Sequence, residues 1–212
     1  MEKYNYRKDP HQDIDHVFRD LLPAHGMVER PAQVELSHQM LDTMLNGSIA
    51  LCDAGTGIGK TYAYLVAGVV FRRYRSRAGL PNQPLLISTS SIALQGAIIH
   101  DYLPFLSKVM MADGILDSPL RAVLRKGKSH YVCDARLMKR LQTANLDRKN
   151  PLAKAALLSM RDHLDLDMAP HLSGYDRERI CVPPTCDCGK TECRYLCYLD
   201  VCVSERYAIQ VC

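Results

Sequence analysis

The segment Asp53-Ala54-Gly55-Thr56-Gly57-Ile58-Gly59-Lys60-Thr61 carries the residues best suited to chemistry, and it follows the Walker A spacing with Ala54 in place of the first glycine. A nucleoside triphosphate presents clustered negative charge. Gly55, Gly57 and Gly59 let the chain curl so that successive N–H groups point at the β- and γ-phosphates. Lys60 supplies a point charge and the Thr61 hydroxyl suits Mg²⁺, which makes these two the candidate catalytic residues. A Gly-rich turn with a chance lysine is the bland alternative. Upstream, in Glu29-Arg30-Pro31-Ala32-Gln33, the Gln33 amide could pair its donor and acceptor with an adenine edge, favouring ATP over GTP. The expected nucleotide site is therefore Gln33 with residues Ala54 to Thr61.

Cysteine offers a second kind of chemistry, because seven of the nine cysteines fall between Cys181 and Cys212. The run Cys188-x4-Cys193-x3-Cys197 brings three thiolates within reach of a fourth, for which Cys133 is the natural candidate. A structural zinc site on Cys186, Cys188, Cys193 and Cys197, or unligated core cysteines, fits the same spacing. Cys52 reads as core. The N-terminus has neither an apolar core nor a small-residue cleavage site, so it is not a secretory signal and disulfides lose their usual compartment. No stretch approaches the roughly 20 apolar residues that span a bilayer. A cytoplasmic protein without membrane contact is expected.

These residues need elements to position them. Pro31 to Leu45 has the apolar spacing of a helix with one buried face, ended by Asn46-Gly47. Ser48 to Cys52 reads as a buried parallel strand entering the glycine turn, and Lys60 to Tyr74 as an apolar helix. Leu85 to Ser88 and Arg121 to Leu124 read as further strands around a helix at Ile92 to Ile99, an alternation that implies an α/β fold with a mostly parallel sheet. Beyond Arg125, Tyr131 to Leu141 and Leu152 to Leu164 look helical. Residues 1–26 have no clear period and read as a partly ordered arm, 27–125 as the N-terminal part of the nucleotide-binding domain and 126–212 as a cysteine-rich domain with the start of a return to the nucleotide-binding domain. Apolar residues at 47% and charged residues at 24% sit at globular averages and exclude wholesale disorder. A net charge of +4 permits nucleic-acid binding without demanding it.

Glu-Arg-Pro-Ala-Gln, then Asp-Ala-Gly-Thr-Gly-Ile-Gly-Lys-Thr-Tyr-Ala-Tyr-Leu, then Ile-Ser-Thr-Ser-Ser-Ile-Ala-Leu-Gln, then Lys-Gly-Lys-Ser-His-Tyr-Val-Cys, then the late cysteine trio occur in this order. Together they resemble the DinG branch of the XPD-like superfamily 2 DNA helicases, over residues 28 to 212. The resemblance implies an ATP-driven 5′-to-3′ DNA helicase acting on single-stranded or forked DNA. It also implies a P-loop RecA-like parallel-sheet domain with an inserted, mostly helical, cysteine-rich iron–sulfur domain. By the same resemblance Gln33 belongs to the adenine-reading motif and Ser88 to Gln95, including Thr89 and Gln95, to a motif on the DNA backbone. Cys133, Cys188, Cys193 and Cys197 correspond to ligands of a 4Fe–4S cluster, although Cys193 and Cys197 stand closer than the family pattern and Cys186 or Cys202 could substitute. The chain reaches Cys212 with no Asp-Glu-x-His box, so it reads as an N-terminal portion that is inactive alone.

The segment from Arg121 to Lys149 adds support for DNA contact, with nine Lys and Arg against Asp134 and Asp147. Arg125, Lys126, Lys128 and Arg136 are the candidate phosphate contacts. Tyr131 could stack on a base or serve the core. Two other functions compete: a zinc-containing nucleic-acid-binding P-loop protein without helicase activity, and a small P-loop kinase, for which no substrate constellation is present.

Overall fold

The computed structural model describes residues 9–81, 83–146, 150–186, 193–203 and 207–212. Cys188, Arg148 and Lys149 lie outside the described residues. The chain divides into two compact units, residues 1–124 with 205–211, and residues 125–204 with Cys212.

The first unit begins with α1 (Pro10–His16), where Pro10 holds the first helical position and the Asp9 side chain accepts from the His11 N–H. A wider π turn, Val17–Leu21, continues into α2 (Leu22–Ala24). Ile14, Val17, Phe18 and Leu22 are buried in the same core as the central helices. The segment expected as a partly ordered arm without a period is helical from Pro10, because Ile14, Val17, Phe18 and Leu22 do recur at helical spacing and join that core. α3 (Pro31–Leu45) starts at Pro31 and has the bounds its sequence pattern implies. α4 (Lys60–Arg77) follows the glycine loop and buries Leu65, Val66, Val69 and Val70. At Gly68 a Cβ would overlap the Leu85 side chain, so glycine is what lets α4 lie close to the sheet.

Three parallel strands, β1 (Leu85–Ile87), β2 (Ala122–Leu124) and β3 (Ile209–Val211), form a sheet in the order β1-β3-β2. Leu85 and Ala122 both pair with Ile209, which fixes the register. Between β1 and β2 run α5 (Ile92–Ala97), a second π turn (Ile98–Tyr102) and α6 (Leu103–Ala112). The fold is thus α/β with a small parallel sheet. β3 is fully buried at its centre. No strand forms at residues 48–52, contrary to the sequence pattern, and Ile49 and Leu51 are 93% and 99% exposed. An extended segment becomes a strand only when a neighbour takes its N–H and C=O groups, and among the described residues none does. Cys52 is consequently exposed and not core.

The chain leaves the sheet after β2 and returns to it as β3, so the second unit is an excursion between two strands of the first. It is mostly helical: α7 (Asp134–Thr143), α8 (Pro151–Ser159), α9 (Gly174–Ile180) and α10 (Arg194–Val203). Asn150 caps α8 ahead of Pro151, and Ser173 caps α9 by accepting from the Asp176 N–H. Two antiparallel bridges, Tyr131 to Asp165 and Val132 to Cys181, tie the incoming segment to later turns. Val132, Leu137, Leu157, Met160, Leu166 and Ile180 make one core of this unit. Among the described residues no helix is long and apolar enough to cross a membrane.

Candidate functional site

The glycine loop is built from both of its ends. Gly57 and Gly59 have φ of 84° and 87°, a left-handed conformation in which a side chain would be strained. Gly59 is constrained twice, since a Cβ there would overlap the Gln33 amide. α3 stitches the loop from the side: the Arg30 guanidinium donates to the Gly57 carbonyl at 2.6 Å, and Gln33 Nε2 donates to the Gly59 carbonyl at 2.6 Å. Lys60 folds back across the loop and donates to the carbonyls of Ala54 at 2.8 Å and Gly55 at 2.7 Å. Four loop carbonyls are thereby held by side-chain donors. The N–H groups of Gly55 to Gly59 find no acceptor among the described residues and remain presented at the N-terminus of the 18-residue helix α4. Such a terminus, with its partial positive charge, suits an anion. Thr61 lies in the first turn of α4. Arg30 was legible only as the residue preceding Pro31. Its role appears once α3 is placed beside the loop.

After β1, Ser91 caps α5 through the Leu94 N–H, and the Thr89 hydroxyl accepts from the Ser91 N–H. Gln95 is buried, its Nε2 donating to the Thr89 carbonyl at 3.0 Å while its Oε1 has no hydrogen-bond partner. Thr89 and Gln95 are therefore held as one turn.

In the second unit the structure engages most of the expected DNA contacts in intramolecular hydrogen bonds. The Lys126 ammonium, with its side chain 6% exposed, bridges Asp165 at 2.6 Å and Asp167 at 2.7 Å. Arg136 donates to the Cys181 carbonyl at 2.7 Å and Lys128 to the Pro184 carbonyl at 3.1 Å. Arg140, from the same basic stretch, pairs with the buried Asp176 at 2.7 Å. Tyr131 is 3% exposed, with Tyr195 and Tyr198 rings at 5.2 and 5.4 Å and its hydroxyl accepting from the Lys126 N–H. Its geometry is that of a core residue. The excess of positive charge in the sequence is thus partly matched by acidic residues that lie far away along the chain, Asp165, Asp167 and Asp176.

Among the cysteines, Cys133 and Cys193 are buried in one small cluster with Tyr131, Val182 and Tyr195, and Cys186 packs against it. Cys197 is exposed and Cys202 is buried. Among the described residues no group of three or more His, Cys, Asp or Glu side chains is arranged to hold a metal ion. Of the expected ligands, Cys133, Cys193 and Cys197 are not gathered into such a group, and Cys188 lies outside the described residues.

Asp167 anchors this unit by accepting from Lys126, from Arg177 at 2.7 Å and from His130 at 3.2 Å. Burial pushes its carboxyl up, but those hydrogen bonds and the Lys126 charge outweigh burial and hold it at about 2, below the ordinary 3.8. Burial pulls the Lys126 ammonium down, and Asp165 and Asp167 more than offset it. A depressed carboxyl contributes stability that is complete above its unfolded pKa and lost as pH falls from about 3.8 through about 2. We expect the urea-unfolding free energy to drop by about 2 kcal/mol more across that window than in an Asp167→Asn variant. Identical acid profiles would remove Asp167 from this role.

The first unit is thus a parallel α/β unit with a glycine loop ahead of a long helix. The chain is 30% identical over 139 residues to the 3′-5′ exonuclease DinG of Bacillus subtilis, covering 66% of this chain and 13% of that protein. It is 30% identical over 129 residues to the ATP-dependent DNA helicase YoaA of Haemophilus influenzae, 61% of this chain and 18% of that protein. Over 85 residues it is 35% identical to the ATP-dependent DNA helicase DinG of Photobacterium profundum, 40% of this chain and 10% of that protein. These relatives bear out the resemblance to the DinG branch. The matched stretches are a small part of each relative's own length. No family model matches the chain.

Proposed function

We propose that this chain forms the nucleotide- and DNA-binding portion of an ATP-dependent DNA helicase of the DinG type. In this reading the first unit is the P-loop part of a RecA-like motor domain, and the second is the cysteine-rich domain inserted into it. The observation that carries the reading is the polarity of the loop: side chains from Arg30, Gln33 and Lys60 take its carbonyls, and its N–H groups stay open. A surface turn that merely reverses the chain has no use for that arrangement. With ATP bound, Lys60 would exchange the Ala54 and Gly55 carbonyls for the terminal phosphates, and the Thr61 hydroxyl would hold Mg²⁺. Because Gln33 Nε2 is committed to Gly59, adenine recognition falls to its Oε1, and the base is thereby coupled to the loop.

DNA, single-stranded or forked, is the partner, and Thr89, Gln95, Arg125, Lys128 and Arg136 are its contacts. Lys126 and Tyr131 act structurally. The 5′-to-3′ polarity and the cytoplasmic location follow from the resemblance and the sequence. The resemblance further implies a 4Fe–4S cluster on Cys133, Cys188, Cys193 and Cys197. The test is fluorescence anisotropy of a labelled single strand at several salt concentrations, with metal analysis of the same anaerobic preparation. A log K that falls linearly with log salt, by about 0.7 per phosphate neutralised, is expected, together with about four irons and four acid-labile sulfides. No affinity at low salt would remove the DNA reading. Stoichiometric zinc without sulfide would favour a zinc-containing nucleic-acid-binding P-loop protein without helicase activity.

A further inference from the structure

Far from the glycine loop, one face of α4 carries Val69, Arg72, Arg73, Ser76 and Arg77, spaced as a single helical stripe. Together with the loop from Gly114 to Arg121 and with Ala208, this stripe encloses a cavity of about 590 Å³ in the first unit. Lys60 stands 12 to 17 residues from these arginines along α4, roughly 20 Å at the helical rise. The cavity is therefore distinct from the nucleotide loop.

Its charge is unbalanced. Arg72, Arg73, Arg77 and Arg121 line it, and Asp117 is the one carboxylate in the wall. Asp13, buried behind the stripe, faces Arg73 at 3.7 Å and Arg77 at 3.9 Å. Arg77, in the last turn of α4, also complements the negative end of the helix dipole, which accounts for its position without any ligand. Arg72 and Arg121 are held by neutral groups. Arg72 donates to the Gln83 carbonyl, and Arg121 lies over the Tyr207 ring at 5.5 Å. Neither has a carboxylate partner among the described residues. Burial lowers the pKa of Arg72 with no opposing charge to offset it. A half-buried guanidinium without a counter-ion is costly, and a planar fork of donors matches the paired oxygens of a phosphate. Ser76 and Ser118 add hydroxyl donors to the same wall.

We propose that this cavity is a second phosphate-binding site, taking a phosphate group through Arg72 and Arg121 at the opposite end of α4 from the Walker loop. Two sources supply that chemistry, a free polyphosphate or the backbone of a nucleic-acid strand. The proposal does not rest on the glycine-loop reading, and the test is run on the 212-residue chain carrying Lys60→Ala, so that the loop contributes little. Calorimetric titration with inorganic pyrophosphate should show one remaining site. Adding Arg72→Gln with Arg121→Gln should weaken it by about 10-fold or more. The same proteins are then titrated against a labelled single strand across salt. If the salt slope falls by about 1.4, as loss of two phosphate contacts requires, the ligand is the strand. If the slope holds while pyrophosphate affinity falls, the ligand is a free polyphosphate. Unchanged affinity for both, in protein with the parental circular dichroism, overturns the site. Should the glutamine pair fail to fold, Arg72→Lys with Arg121→Lys keeps the charge and removes the fork. Pyrophosphate affinity should then fall several-fold, and equality with the parent overturns the proposal.

Discussion

Assayed as these 212 residues, the protein should release phosphate from ATP no faster with single-stranded DNA than without it. Phosphoryl transfer depends almost wholly on positioning and on charges placed around the transferring group. In the proposed reading the loop provides the backbone cradle, Lys60 and Thr61. The 212 residues contain no Asp-Glu-x-His box to hold Mg²⁺ and orient the attacking water. In the proposed helicase reading, arginines from outside these residues are a further requirement, and loss of an arginine finger alone costs about 10³ to 10⁵ in rate. Steady-state phosphate release with and without a single strand measures this. Robust DNA-stimulated turnover would mean that the catalytic groups have been misassigned.

Replacing Lys126 by Ala should lower stability by about 3 kcal/mol while leaving the salt dependence of DNA binding unchanged. Its ammonium is enclosed between Asp165 and Asp167, and removing one partner of an enclosed ion pair leaves carboxylates without their counter-charge. The Tyr131 hydroxyl, which accepts from the Lys126 backbone, and the bridge from Tyr131 to Asp165 bind the same corner together. Urea unfolding and strand anisotropy on one preparation separate the two roles. A variant as stable as the parent, with a salt slope smaller by about 0.7, would return Lys126 to the DNA.

Much of the first unit was legible in the sequence, because its signals are local. α3 follows from Pro31 at its start, apolar spacing along its length and Asn46-Gly47 at its end. The two left-handed glycines of the loop follow from the motif. What failed was non-local. Ile49 and Leu51 have the alternation of a strand, but strand formation needs a hydrogen-bonding neighbour that alternation cannot supply. The Ile209–Val211 strand, short and separated from β2 by the whole second unit, gave no comparable pattern, yet it is the centre of the sheet. In the second unit Lys126, Arg136 and Arg140 read as a basic surface because their partners, at Asp165 to Cys181, lie 36 to 45 residues away. Tyr131 was open between base and core, and its two tyrosine neighbours place it in the core. The cysteine spacing announced convergence, and Cys133 does pack beside Cys193 in one cluster. Spacing could not show that Cys197 faces solvent.

The most direct measurement of the central claim is a titration of the intact chain with a fluorescent ATP analogue and Mg²⁺, for the parent and for Lys60→Ala. The ammonium that now bridges the Ala54 and Gly55 carbonyls is the side-chain cation available to the terminal phosphates, and the backbone cradle cannot replace its charge. Charge-assisted hydrogen bonds of this kind contribute about 1.5 to 3 kcal/mol, so affinity should fall on the order of 10- to 100-fold. Saturable binding in the parent with that loss in the variant is the expected result. Equal affinity in the two proteins would contradict the assignment of residues 53–61 as the triphosphate site.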